Sequence, residues 1–174
     1  MTLIVGTDEA GYGPNLGPLV VAATLWEAEA AAADVEAACA AAAGALADLW
    51  GDSKRVFRGR GGLKSLERGA LAAVARRDGL PGDWGALLAA VDAVGLADSE
   101  WAPEAERLVL PREGSREECA AATARASTVL AAHGLRLVAV RCRGVNPREF
   151  NGLLAAWLNK SDLLSRITRA LAAA

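Results

Sequence analysis

The chain has 174 residues, a usual length for a single domain with its own hydrophobic core. Its net charge is -2, so no global basic field draws it to nucleic acid or to anionic membranes, and any such contact must be local. The three cysteines lie far apart and form no Cys-x-x-Cys pair, which argues against a disulfide framework and against a zinc site.

The N-terminal segment and the longest apolar stretch predict neither export nor membrane insertion. Residues 1–5 lead almost at once to the acidic pair Asp8-Glu9, without the basic region and long apolar run of a secretory signal. Residues 28–49 are mostly alanine and are interrupted by acids, unlike a span of ~20 strongly apolar residues. We therefore expect a cytoplasmic protein that makes no membrane contact.

The first part of the chain predicts a pair of strands followed by helices. Residues 3–6 and 19–26 are apolar and rich in β-branched side chains, and a glycine- and proline-rich turn separates them. Residues 28–50 favour a helix that ends or is interrupted near Gly44. Residues 51–54 break it, a basic glycine-rich loop follows, and residues 63–77 are helical again.

The second part predicts a less regular segment and then further regular structure. Residues 79–114 contain prolines and glycines without a sustained period, which indicates a peripheral insertion with a short helix and a strand at 107–110. Residues 115–133 are typical of a helix, 135–142 of a strand, and 150–173 of one or two helices. The whole chain, 1–174, is thus one α/β domain, and a sheet of three strands leaves apolar helix surface without a partner.

Asp8 and Glu9 are the residues most suggestive of chemistry. Two adjacent carboxylates at the end of a buried apolar strand repel each other unless a cation or hydrogen-bond donors compensate them, and Mg²⁺ or Mn²⁺ suits such oxygen ligands. Neighbouring side chains on a regular strand point to opposite faces, so a shared metal needs a distortion that Gly11 and Gly13 allow. The alternative is that both acids simply end the strand and face water.

The surrounding motifs resemble the type 2 ribonuclease H family. The family pattern, Asp-Glu-Ala-Gly-basic-Gly-Pro followed by Gly-Pro-Val-Val-Ala-Ala, is similar to residues 8–14 and 17–23. A family Asp-Ser-Lys block is matched, at a comparable place in order, by Asp52-Ser53-Lys54. Residues 135–151 form a third, weaker match to the family's third strand and the helix after it.

The resemblance implies a ribonuclease H-like mixed sheet with flanking helices, and a metal-dependent endonuclease that cleaves the RNA strand of RNA/DNA hybrids. Asp8 and Glu9 would be the catalytic, metal-binding carboxylates for Mg²⁺ or Mn²⁺. The substrate would be bound by residues in both motifs: Gly11, Tyr12, Gly13, Pro14, Ser53 and Lys54. Tyr12 stands where the family has a basic residue, so the resemblance implies that one phosphate contact is lost. Additional basic side chains nearby would form a local patch: Arg55, Arg58, Arg60 and Lys64.

The family places further catalytic aspartates after a fourth strand, so the resemblance implies that this chain corresponds to the N-terminal part of such a domain. On that basis we expect a monomer if the chain is complete and allow an oligomer if it is shortened. Two alternatives stay open: a non-catalytic nucleic-acid-binding module, and a structural or interaction protein with a degenerate ribonuclease H fold.

Two other polar residues have ordinary structural interpretations. His133, the single histidine, is followed by Gly134 at the end of a predicted helix, where it would act as a cap or interact with the helix dipole. Asp162 falls within a helical pattern and not at a strand end, so we do not interpret it as a further metal ligand.

Overall fold

The computed structural model describes residues 1–10, 17–29, 31, 34–59, 61–96, 102–157 and 159–173. Within these ranges the strands are β1 (Thr2–Ala10), β2 (Leu19–Ala28) and β3 (Leu135–Val145). The helices are α1 (Val35–Ala45), α2 (Ala47–Trp50), α3 (Ser53–Arg58), α4 (Gly62–Asp78), α5 (Trp84–Ala90), α6 (Ala102–Ala105), α7 (Arg116–Ala132), α8 (Pro147–Trp157) and α9 (Lys160–Ala173).

The strands form one sheet in the order β1-β2-β3, and both pairings are antiparallel. The predicted α/β architecture with flanking helices is therefore confirmed. The one parallel pairing among the described residues is an isolated bridge between Val94 and Arg143, at the far side of β3. A register shift opposite Leu25 and Trp26 gives β3 one extra residue, which is a β-bulge.

Helices cover both faces of the sheet because alternate residues of β2 point to opposite sides. Trp26 and Ala28 face a core built with α1, α2, α4 and α7, in which Leu46 and Leu130 are almost fully buried. Leu19 and Val21 face the other way, towards Leu163 of α9 and the cluster that it shares with α8. The sheet is thus the middle layer of three.

Strand β1 is the exception to this coverage. The sequence predicts a buried apolar strand here, but every residue of β1 is half-buried or exposed, and Leu3 and Val5 are 60% and 49% exposed. The prediction of burial was wrong, because within the described residues β1 pairs only with β2 and lies at the sheet edge. An edge strand has one neighbour fewer to cover its side chains.

The segment 79–114 joins the α4–α7 side of the molecule. Leu110 is buried in a small cluster with Leu71 of α4 and Cys119 of α7. The strand expected at 107–110 is reduced to a single bridge between Val109 and Asp83. No described helix combines the length and apolar character needed to cross a lipid bilayer.

Candidate metal and nucleic-acid site

Asp8 and Glu9 lie near the end of β1, and both are exposed. The register runs without interruption through the pair, with Asp8 opposite Ala22 and Glu9 opposite Val21. Their side chains therefore point to opposite faces of the sheet, Asp8 towards the α1 side and Glu9 towards the α9 side. The distortion that would bring both onto one face is not found as far as Ala10.

The backbone amide of Glu9 donates a hydrogen bond of 2.9 Å to the Asp8 Oδ1 atom. This bond fixes the Asp8 carboxylate close to its own strand and uses one of its two oxygens. An ionised carboxylate has about four acceptor positions, so the Asp8 group retains capacity for a cation or a donor. Both carboxylates are accessible to solvent, as a site for an exchangeable ion requires.

The strand that carries Asp8 is held to β2 by a local polar contact. The Thr24 hydroxyl donates to the Gly6 carbonyl at 3.3 Å and accepts from the Trp26 indole N–H at 2.9 Å. A Cβ atom on Gly6 would lie 3.0 Å from the Thr24 Oγ1 atom, so glycine permits this close approach. Gly6 is two residues from Asp8 on the same face, and this contact supports the strand beneath the carboxylate.

An apolar cavity of about 250 Å³ lies on the same face of the sheet and reaches Gly6, two residues along β1 from Asp8. Its walls include Ile4, Trp26 and Trp50, and the two indole rings meet edge to face at 6.2 Å. Trp50 donates its indole N–H to the Gly69 carbonyl, so its polar atom is already satisfied. Apolar walls of this kind offer no charge for a phosphate.

Cys142 occupies the same sheet row as Asp8, since Ala22 pairs with both residues. Burial raises the pKa of the Cys142 thiol, because the low-dielectric surroundings disfavour the thiolate. A neutral thiol is a poor nucleophile and a poor metal ligand. We therefore do not count Cys142 as a member of the site.

The glycine-rich motif contributes no geometry. Gly11, Tyr12, Gly13 and Pro14, which the sequence predicts to bind substrate, lie outside the described residues. The proposed roles of these four residues stay predictions.

Ser53 and Lys54 open helix α3, and both are exposed. The sequence predicts a break at 51–54, but only Gly51 and Asp52 lie outside the helices, because Asp52 caps α3 by accepting the Arg55 amide at 2.9 Å. Asp52 of the Asp-Ser-Lys block thus has a structural function. Among the described residues, no hydrogen bond or ion pair joins Ser53 or Lys54 to Asp8 or Glu9.

An open cavity of about 660 Å³ lies between α2, α3 and α4, with Glu118 of α7 in its wall. Among the described residues three cations line it, namely Arg55, Lys64 and Arg68, and we call it the basic cavity. Sequence reasoning identified Arg55 and Lys64 as parts of a basic patch but missed Ser65 and Arg68. The sequence feature that could have identified Arg68 is its spacing from Lys64, since residues four apart share one helix face. Arg60 lies outside the described residues.

The remaining polar candidates take the structural roles that the sequence predicts. His133 is the C-cap residue of α7, and its amide bonds to the Leu130 carbonyl. Asp162 lies in the first turn of α9 and pairs with Arg166 at 3.1 Å. Across the part of the chain that the structure describes, no three side chains of His, Cys, Asp or Glu are grouped as a metal site.

Comparisons of the chain with protein-family models, with curated proteins and with solved structures found no match. The assignment of a function therefore depends on the motifs and on the geometry described above.

Proposed function

We propose that this chain is a ribonuclease H-like, metal-dependent endonuclease that cleaves the RNA strand of RNA/DNA hybrids. The observation that carries the proposal is the exposed pair Asp8-Glu9 near the end of β1, within a segment that resembles the opening strand pair of type 2 ribonucleases H. The antiparallel pairing of β1 with β2 supports it, because the resemblance covers these same two strands in the same order.

Asp8 and Glu9 would hold Mg²⁺ or Mn²⁺. Carboxylate oxygens are the donors that these hard cations prefer, and Mg²⁺ in phosphate-processing sites is commonly held by one or two carboxylates with water and substrate phosphate completing the shell. Because the two side chains point to opposite faces of β1, Asp8 would be the central ligand and Glu9 would bind a second cation. The exposure of both carboxylates leaves access for water and substrate. When bound, such a cation supplies charge neutralisation at the phosphodiester and a more acidic water molecule.

The substrate would be positioned by groups outside the acidic pair. Ser53 offers a hydroxyl and Lys54 an ammonium group, both exposed at the start of α3. Phosphate contacts of this kind fix the position of a nucleic acid without reading its sequence. Gly11, Tyr12, Gly13 and Pro14 are proposed to approach the sugar-phosphate of the ribonucleotide, where the 2′-hydroxyl distinguishes RNA from DNA.

The test is cleavage of a hybrid whose RNA strand is end-labelled, in Mg²⁺, in Mn²⁺ and in EDTA. We expect cleavage that requires the cation and falls by about a hundredfold or more in Asp8→Asn, the order of loss when a transition-state electrostatic stabiliser is removed. Glu9→Gln should also lose activity. The matched control is Asp34→Asn, because Asp34 is an exposed acid whose side chain makes no capping hydrogen bond.

Each outcome distinguishes the proposal from its alternatives. Equal cleavage by the parent chain and by Asp8→Asn would assign the activity to another site or to a contaminant. Binding of the hybrid in EDTA without any cleavage in Mg²⁺ or Mn²⁺ would overturn the nuclease proposal. That second result would favour a non-catalytic nucleic-acid-binding module, which the basic cavity supports independently of Asp8.

A further inference from the structure

The basic cavity has walls of mixed charge, and its acids are already engaged by other groups. Asp48 accepts two hydrogen bonds of 2.8 Å from the Arg125 guanidinium. Glu118 pairs with Lys64 at 2.7 Å and also accepts the Ser115 amide at 3.0 Å. Both carboxylates also attract the Arg68 charge through space, but neither makes a hydrogen bond to it.

Of the three cations in the cavity wall, Arg55 and Arg68 are not paired with an acid. Within the described part of the chain, the guanidinium groups of Arg55 and Arg68 make no ion pair and no hydrogen bond. The Nε atom of Arg68 is buried and lacks an acceptor. A buried charged donor without an acceptor is costly, and nearly all such groups in native proteins bond to protein, water or a ligand. An anion in the cavity would supply the missing acceptor.

Neutral donors face the same space. Ser65 and the backbone of Gly61 line the cavity, and Gly61 is the N-cap of α4 without a side-chain capping bond. The first amides of this 17-residue helix therefore lack side-chain acceptors from the cap. A Cβ on Gly61 would lie only 1.9 Å from the Ser65 Oγ atom, so glycine leaves room for the hydroxyl.

We propose that the basic cavity binds a backbone phosphate of nucleic acid through Arg55, Ser65 and Arg68. The inference rests on the proposed function for its ligand, the RNA/DNA hybrid, and adds a contact separate from the acidic pair, since no residue of β1 lines this cavity. Nucleic acid is favoured over a free anion because the cationic surface continues outside the cavity, at the exposed side chains of Lys54 and Arg58 on α3. A chain of phosphates can use both regions at once.

The inference is tested by fluorescence anisotropy, which measures how tightly the chain binds a labelled RNA/DNA hybrid. The titrations are made in EDTA over a range of salt concentrations. We expect the double variant Arg55→Gln/Arg68→Gln to bind about tenfold more weakly, because charged hydrogen bonds are lost. The slope of log affinity against log salt should become shallower by about one for each phosphate contact removed. Arg68→Lys should bind better than Arg68→Gln. The control is Arg169→Gln, an exposed arginine on α9, with circular dichroism checking that each variant is folded.

Calorimetric titration with pyrophosphate identifies the source of the phosphate. If the double variant loses pyrophosphate binding and keeps full hybrid affinity, the cavity is a site for free anions and the inference is wrong. It is also wrong if the full chain binds neither ligand at low salt, or if Arg169→Gln weakens the hybrid as much as the double variant does.

The two proposals fail in distinguishable ways. Asp8-dependent cleavage combined with unchanged hybrid binding by the double variant would leave the nuclease standing and remove the cavity contact. If the double variant binds the hybrid more weakly but the parent chain cleaves nothing in Mg²⁺ or Mn²⁺, the cavity contact is supported and the nuclease proposal is wrong.

Discussion

Individual side chains show how a protein with a net charge of -2 can still present local positive charge. Asp48 and Glu118 face the basic cavity, but the pKa of each carboxyl lies below its ordinary value because Arg125 bonds to the first and Lys64 to the second. These pairs keep both acids ionised and engaged. Among the described residues that line the cavity, Arg55 and Arg68 are therefore the cations without a hydrogen-bonded acid, and we propose that they bind the phosphate.

The Asp48–Arg125 pair gives a stability that depends on pH. Because the folded-state pKa of Asp48 is lowered, first by the Arg125 hydrogen bonds, its contribution is complete above the ordinary carboxyl pKa and is lost as pH falls through the folded value. Both side chains are about half exposed, so solvent screening limits the pair to about 0.5–1 kcal/mol. We expect Asp48→Asn to lower the free energy of unfolding by that amount near neutral pH.

Urea denaturation at about pH 7 and about pH 3 measures the difference in free energy of unfolding between the parent and Asp48→Asn. This difference should be smaller at the lower pH, because the Asp48 carboxyl of the parent becomes protonated. Asp34→Asn serves as the control because the Asp34 side chain makes no capping bond. A difference between Asp48→Asn and the parent that is the same at both pH values would contradict the assignment to this ion pair.

At the level of elements, the long periodic segments and the first strand pair could be predicted, whereas one short helix was missed and one short strand was predicted wrongly. The helices at 63–77 and 115–133 and the strand at 135–142 are confirmed within a few residues by α4, α7 and β3. Helix α3 was missed, since six residues are too few for a period and its only clear signal is the Asp52 cap. The prediction of a strand at 107–110 was wrong, because Val109 forms only a single bridge with Asp83 and has no strand to pair with.

The candidate site could be predicted only in part. The motif identified Asp8 and Glu9, and the structure adds that they lie on opposite faces of an edge strand. Exposure of β1 was missed because the apolar run Leu3-Ile4-Val5 does not reveal how many neighbours a strand has. The four-residue spacing places Arg68 on the helix face of Lys64, but the cavity beside that face depends on how α3, α4 and α7 pack, which local sequence does not encode.

The N-terminus of α7 provides a test of local helix stabilisation. The Ser115 hydroxyl accepts the Glu118 amide at 3.1 Å, and the Glu118 carboxylate accepts the Ser115 amide, which together form a capping box. Ser115→Ala should therefore lower the free energy of unfolding by about 1 kcal/mol. Thermal or urea unfolding measures it. Thr128→Ala is the control, since the exposed Thr128 hydroxyl only bonds back to the Ala124 carbonyl within the same helix. An equal loss of unfolding free energy in both variants would argue against a stabilising cap at Ser115.

At the scale of the whole molecule, the sheet is stabilised by a helical layer on each face. Leu163 of α9 is fully buried against Leu19, Val21 and Val145. Leu163→Ala should lower the free energy of unfolding by about 2–5 kcal/mol, because it removes buried methyl groups and leaves a cavity. The matched control is Leu63→Ala, whose side chain is 60% exposed and whose loss should cost about 0.5 kcal/mol or less. Similar denaturation midpoints for the two variants would mean that α9 contributes little to the folded state.

The position of the acidic pair on β1 also bears on self-association. A strand with exposed Leu3 and Val5 at a sheet edge is a template with which the same strand of a second chain can pair. Parallel, in-register pairing of two β1 strands would bring Asp8 and Glu9 within about 5 Å of their copies, and like charges at that spacing repel. The carboxylates that we assign to catalysis would therefore also disfavour this pairing between two chains.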